Sequence, residues 1–169
     1  MTMERVRIRG ESLPAMAGPP HAAAPGARRW WAFACVTFLL HYAWELLQGP
    51  LYTQFAGLSW TEHALPCLPA ALGDVVIAAV AHAFAGALTR RWRWPFERNR
   101  MAPALLWLAA GLVITVAFEL LAVSWGRWAY TERMPQVLGV GLSPLLQWTL
   151  LPPLSLLLAC RRPARAVPR

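Results

Sequence analysis

Residues 102–123 read APALLWLAAGLVITVAFELLAV, a run that is apolar from end to end apart from Thr115 and Glu119. A helix of that length rises about 30 Å, the thickness of a bilayer's hydrocarbon core. No water is available there to satisfy peptide groups, and a helix satisfies its own. Pro103 falls at the start, where its missing N–H costs little. Working outward, similar apolar runs occupy about 30–48, 68–88 and 142–160. The chain is therefore expected to be an all-α membrane protein, a bundle of four transmembrane helices filling residues 29–160. A basic tail at 1–28, rich in Pro, Gly and Ala and without helix or strand periodicity, is expected to be disordered. A second basic tail covers 161–169.

Composition agrees. The 169 residues are 57% hydrophobic and 14% charged, whereas a soluble domain carries roughly a quarter charged residues. The net charge is +8, and every one of its 16 basic residues is Arg. These arginines sit between the apolar runs rather than in a patch suited to nucleic acid, so a nucleic-acid partner is not expected and anionic membrane lipids are. Arg5, Arg7, Arg9, Arg28 and Arg29 precede the first run, and Arg90, Arg91, Arg93, Arg98 and Arg100 separate the second from the third. Arg161, Arg162, Arg165 and Arg169 follow the fourth. The first connection has no Arg, and the third has only Arg127 and Arg133. The positive-inside rule places both termini and the middle connection in the cytoplasm. Ala-, Pro- and Arg-rich usage fits a GC-rich bacterial genome, so the expected location is a bacterial inner membrane, crossed several times. The first apolar run starts late and carries Glu45, unlike a cleaved signal peptide. Most tryptophans, Trp30, Trp31, Trp92, Trp94 and Trp107 at the inner boundary among them, are expected in interfacial belts. Cys35, Cys67 and Cys160 suggest no disulfide framework.

The chemistry is carried by polar residues inside the apolar runs. A charge near the middle of a span costs about 2.5–3.5 kcal/mol on insertion scales, yet Glu45, Asp74 and Glu119 lie in three spans with no Lys or Arg beside them. Counting the helical rise puts Glu45 roughly 22 Å and Glu119 roughly 25 Å from the cytoplasmic side. Asp74 and Gln147 lie roughly 9 Å and 8 Å from the outer one. All four helices thus bring a polar group to one level in the outer half. His41 lies one turn deeper than Glu45 on the same face, and Gln48 nearly one turn shallower. One reading is a pocket open to the outer face, built by His41, Glu45, Asp74, Glu119 and Gln147. The other is an interhelical hydrogen-bond network that only holds the bundle together.

Around this level, Gln48, Gln147, Trp44, Trp125, Arg127, Trp128 and Tyr130 are candidate substrate-binding residues. The segment Trp125–Tyr130 is expected either to lid the outer mouth, with Arg127 facing the carboxylates, or to anchor at the interface. The loop 51–64 either caps the pocket or lies flat on the membrane. His63 and Cys67, four apart in the connection between the first two runs, have a spacing that suits two metal ligands on a helix. His82, nearer the cytoplasm, is an inner proton relay or a plain hydrogen-bonded histidine. Pro152-Pro153 is expected to break or kink the fourth helix, and Gly139 and Gly141 to allow a close approach to it.

The stretches His41–Gln48 with Pro50-Leu51-Tyr52, Trp125–Tyr130 through Met134-Pro135, and Gly141–Gln147 resemble those of a group of small uncharacterised bacterial four-span integral membrane proteins. The likeness covers about residues 30–160 and implies the fold, not an activity. In design, through His41 and Glu45 alone, the plan is also similar to the four-span sterol-isomerase-like (emopamil-binding) group, with His and Glu one turn apart. It is similar likewise to the membrane lycopene-cyclase domain, with intramembrane acids acting on a polyene. The expected function is a membrane-embedded enzyme using acid/base chemistry on an isoprenoid or lipid. Glu45 or Glu119 would be the acid, His41 would tune it, and Asp74 would be a further catalytic carboxylate; removal from water favours the protonated carboxyl. A metal bound by one His and three acids ranks lower, because nitrogen ligands are few. Two alternatives stand beside it. A proton- or cation-linked transporter subunit would need a homo-oligomer, and a structural or assembly protein would need no chemistry. No nucleotide, P-loop, CxxC, HExxH or haem-attachment motif is present, and no cofactor is named.

Overall fold

The structure, a computed structural model, describes residues 26–160; the expectations for residues 1–25 and 161–169 lie outside them. Four helices form: α1 (Ala27–Gln48), α2 (Trp60–Thr89), α3 (Met101–Ser124) and α4 (Leu142–Ala159). Two two-residue strands, β1 (Gln136–Val137) and β2 (Val140–Gly141), pair antiparallel ahead of α4. Their turn carries positive φ at Leu138 and Gly139, the backbone a two-residue hairpin needs.

α2 starts at Trp60, well before the expected residue 68. Ser59 and Glu62 form a capping box, with Ser59 N–H donating to Glu62 Oε2 at 2.8 Å. That box satisfies the first-turn amides and starts a helix in what was expected to be loop. The helix runs on through Pro66 and Pro69. His63 and Cys67 therefore lie on α2 and face the end of α1: His63 Nε2 is 3.2 Å from Leu46 O, and Cys67 Sγ donates to Glu45 O at 3.6 Å. Leu46 O has no donor within its own helix because Pro50 carries no N–H, whereas Glu45 O already accepts from the Gly49 N–H. Of the break or kink expected in α4, the break does not occur, since Pro152 and Pro153 sit inside a continuous helix. They remove only the donors that would have met the carbonyls of Trp148 and Thr149.

The helices close a ring in which α1 packs on α2 and α4, and α3 packs on the same two. Contacts show neighbours running antiparallel: His41 meets Asp74 while Trp30 meets His82, and Trp44 meets Ser143 while His41 meets Trp148. Between membrane helices there is no bulk hydrophobic drive, so close packing matters most. Ala71, Ala78, Ala81 and Ala85 make a buried stripe of small side chains along α2. Trp148 packs against Gly111, so closely that a Cβ there would sit 2.1 Å from its ring.

Trp94, Trp107 and Trp148 are wholly buried. Trp94 and Trp107 are therefore core residues rather than belt residues: they pack with Phe33, Ala81 and Leu156, and Trp107 Nε1 donates to Ala78 O at 2.9 Å. Trp31, Trp60, Trp92 and Trp125 are exposed, as belts require. The outward surface is otherwise apolar; Leu39, Val76, Val80, Phe84, Leu105, Val113 and Phe118 are each more than half exposed. A water-soluble monomer does not carry an apolar surface of that extent. α2, α3 and α4 are long and apolar enough to cross a membrane. α1 packs as their equal but carries Arg28, Arg29, His41, Glu45 and Gln48.

The arginines divide between the two ends of the bundle. Arg29 stands over the Phe96 ring at 4.7 Å, Arg91 pairs with Glu97, and Arg100 donates to Pro95 O. The start of α1 and the α2–α3 connection thus share one end. The three cysteines are free thiols.

Candidate functional site

The polar level converges, as two adjoining clusters. The first gathers His41, Glu45 and Gln48 from α1, Asp74 from α2, and Gln147 and Trp148 from α4. His41 Nδ1 lies 3.1 Å from Asp74 Oδ2. Gln147 Nε2 lies 2.8 Å from Asp74 Oδ2, 3.1 Å from Glu45 Oε1 and 3.0 Å from His41 Nδ1. Gln48 Nε2 donates to Glu45 Oε1 at 2.7 Å and to Gln147 Oε1 at 3.3 Å, and Trp148 Nε1 donates to Asp74 Oδ1 at 3.2 Å.

One assignment of protons satisfies every donor once. An amide has two N–H groups. Those of Gln147 go to Asp74 and Glu45, and those of Gln48 go to Glu45 and Gln147. Nδ1 of His41 then carries a proton and donates it to Asp74 Oδ2. The other nitrogen, Nε2, is buried without a hydrogen-bond partner, and His41 is fully buried. A carboxylate that fixes Nδ1–H leaves the lone pair on Nε2, the arrangement of an oriented base. The hydroxyl of Thr115, one turn below Glu119 on α3, is also buried without a partner.

The second cluster surrounds Glu119. Tyr52 OH donates to Oε1 at 3.3 Å, and Trp128 Nε1 and Tyr130 OH donate to Oε2 at 3.3 and 2.5 Å. Two connections bring these donors together. Thr53 N–H donates to Ala129 O and Thr131 N–H to Leu51 O, both at 2.9 Å, which pairs Tyr52 with Tyr130 as a short antiparallel bridge. Gly141 makes room beneath, since a Cβ there would meet Tyr130 at 3.0 Å and Met134 at 3.1 Å. Burial pushes the Tyr52 and Tyr130 phenols up, with Glu119 adding to both shifts. They therefore stay protonated and keep donating.

The connections that follow α1 and α3 thus close over Glu119, and Tyr52, Trp128 and Tyr130 do so through hydrogen bonds. Arg127 does not face the acids as expected. It is exposed, and the ion pairs among the described residues are His41–Asp74 and Arg91–Glu97. Gly126, with φ +65, turns the backbone just before it. Trp125 is 71% exposed and also stays out of the cluster. Trp44 donates to Ser143 Oγ at 3.2 Å, tying α1 to α4 beside the cluster. Of the groups not singled out beforehand, Trp148 is central. An indole N–H buried opposite an acid was open to inference, but its depth matched an apolar filler equally well. Tyr52 was noted only within the loop 51–64 and the stretch Pro50-Leu51-Tyr52, with no role at the site.

Among the described residues, no group of three or more His, Cys, Asp or Glu is arranged to hold a metal ion. A cavity of about 440 Å³ lies away from the acids, between α1 and α2 toward the arginine-rich end. No family model, curated protein or solved structure matches this chain. Fold and site together define a helical membrane protein with a buried His41–Asp74 pair and a buried, triply hydrogen-bonded Glu119.

Proposed function

We propose that this protein is a membrane-embedded enzyme that moves protons on an isoprenoid or lipid substrate. It would span a bacterial inner membrane four times with both termini in the cytoplasm, as the gathering of Arg29, Arg91 and Arg100 at one end supports. The observation that carries the reading is the His41–Asp74 pair, 3.1 Å apart, with Nε2 buried and unpartnered. Asp74 holds the imidazole in one tautomer and stabilises the imidazolium formed when Nε2 takes a proton from carbon. Shifting a double bond needs that proton removed and one delivered at a second carbon, so the base and the product balance. Glu45 is the candidate donor, being only half-buried with its partners all on Oε1. Glu119, held by three neutral donors, is placed to face positive charge developing on the substrate.

The test is solvent isotope uptake. Membranes containing the protein are incubated in D2O with native lipid extract, and the extracted isoprenoids and lipids are analysed by mass spectrometry. Deuterium should enter one lipid class with the native protein and not with His41→Asn. Equal incorporation by both would sink the enzyme reading. A proton-linked transporter subunit is the second reading, favoured by the buried unpartnered hydroxyls of Thr37, Thr115 and Ser155. It predicts proton flux in dye-loaded proteoliposomes without carbon-bound deuterium.

A further inference from the structure

The α1–α2 groove has features beyond an ordinary lipid-facing crevice. Trp30, Phe33, Ala34 and Thr37 form one wall, and Ala79 and His82 stand on the other. Its volume of about 440 Å³ falls within the roughly 300–1,000 Å³ usual for small-molecule sites. Its surface is apolar, but two polar atoms in its lining are buried without partners: Thr37 Oγ1 and His82 Nδ1. Thr37 is 2% exposed and lies one helical turn from His41 on the same face, about 6 Å along the axis. At the opposite end the groove reaches Ala27, followed in the chain by the exposed Arg28, while Arg29 stands over the Phe96 ring, which meets Trp30 of the groove edge-on at 4.8 Å. The site therefore has a cationic mouth, an apolar and aromatic barrel, and a buried hydroxyl at the end nearest the catalytic histidine.

We propose that this groove binds the chain of a phosphorylated isoprenoid, with the phosphate on Arg28 and Arg29 and an unsaturated chain running toward Thr37. Guanidinium groups recognise phosphate by charge-assisted hydrogen bonds. A carbon–carbon double bond gives a buried hydroxyl a weak π acceptor that a saturated chain lacks. The inference names the substrate class of the proposed enzyme and rests on that reading for its chemistry, but binding is measured apart from turnover.

The experiment is titration of the full chain in mild detergent with farnesyl phosphate, farnesol and saturated dodecyl phosphate, followed by native mass spectrometry. One equivalent of farnesyl phosphate should bind, about tenfold or more tighter than farnesol, the ratio expected from one charge-assisted hydrogen bond. It should also bind more tightly than dodecyl phosphate. Arg28→Gln with Arg29→Gln should erase the preference over farnesol, and Ala34→Phe should block the groove. Ala79→Phe, on the facing wall, repeats the blockade should the first variant not fold. Equal affinity for all three probes, or unchanged binding in a folded blocked variant, overturns the proposal. Loss of binding with deuterium uptake intact would remove this site and leave the enzyme reading; binding without uptake would do the reverse.

Discussion

Replacing Asp74 by Asn keeps the side-chain shape and changes the proton count. The native carboxylate accepts from Trp148 on Oδ1 and from Gln147 and His41 on Oδ2. An amide keeps one acceptor. If its oxygen stays with Trp148, its NH2 faces the Gln147 amide nitrogen at the 2.8 Å now separating Gln147 from Oδ2, donor against donor. One unsatisfied buried donor costs about 1–3 kcal/mol. His41 can relieve the conflict at Nδ1 by moving its proton to Nε2, so that Nδ1 accepts, but Nε2 is buried without a partner and its N–H becomes a second unsatisfied donor. Asp74→Asn is therefore expected to cost about 2–6 kcal/mol, twice the single-donor figure, and to switch the His41 tautomer. Asp74→Ala takes the acceptor from Trp148, from His41 and from the Gln147 N–H not engaged by Glu45, and should cost about 3–9 kcal/mol, three times the single-donor figure. The assay is ¹⁵N NMR of histidine-labelled protein in detergent, with thermal unfolding of the same samples. An unchanged tautomer in Asp74→Asn, or equal destabilisation by both variants, would refute the proton assignment and the role given to Asp74.

Gly111→Ala should cost at least about 1–3 kcal/mol by overpacking, because its Cβ would lie 2.1 Å from the Trp148 ring; a native melting temperature would show that Trp148 does not rest there. Ser59→Ala removes the α2 cap and should cost about 1 kcal/mol, read as earlier thermal unfolding. Because the Tyr52 and Tyr130 phenols are raised by burial, their stabilising effect is full below the ordinary phenol range of about pH 10 and falls as pH rises beyond it. Tyr130→Phe should flatten that alkaline decline, and an identical pH–stability profile would count against the Glu119 cluster.

The apolar runs revealed the helices because span length is dictated by the bilayer, and 102–123 falls within one residue of α3 at each end. The start of α2 was misplaced because only the unbroken apolar run from about 68 was counted, while the Ser59–Glu62 box was present to be recognised. α4 was expected to break or kink because proline's lost donor is visible in sequence; that the helix continues through the pair, with Pro152 buried, depends on packing that is not. Of the site, the shared depth of His41, Glu45, Asp74 and Gln147 was countable from helical rise. The partner of His41 was not: proximity along α1 suggested Glu45, while the structure pairs it with Asp74 across the α1–α2 interface. Arg127 was assigned to the acids by charge alone, and phenols and an indole fill that role instead.

Gln147 donates to acids on two earlier helices, Glu45 and Asp74, and Trp148 donates to Asp74 as well. During synthesis, α1 and α2 emerge long before α4. Until the last helix inserts, their carboxylates lack these donors in a medium that penalises bare polar groups. The last helix is thus the closing piece of membrane insertion, and a chain that ends before Leu142 would present the quality-control machinery with unshielded acids rather than a smaller bundle.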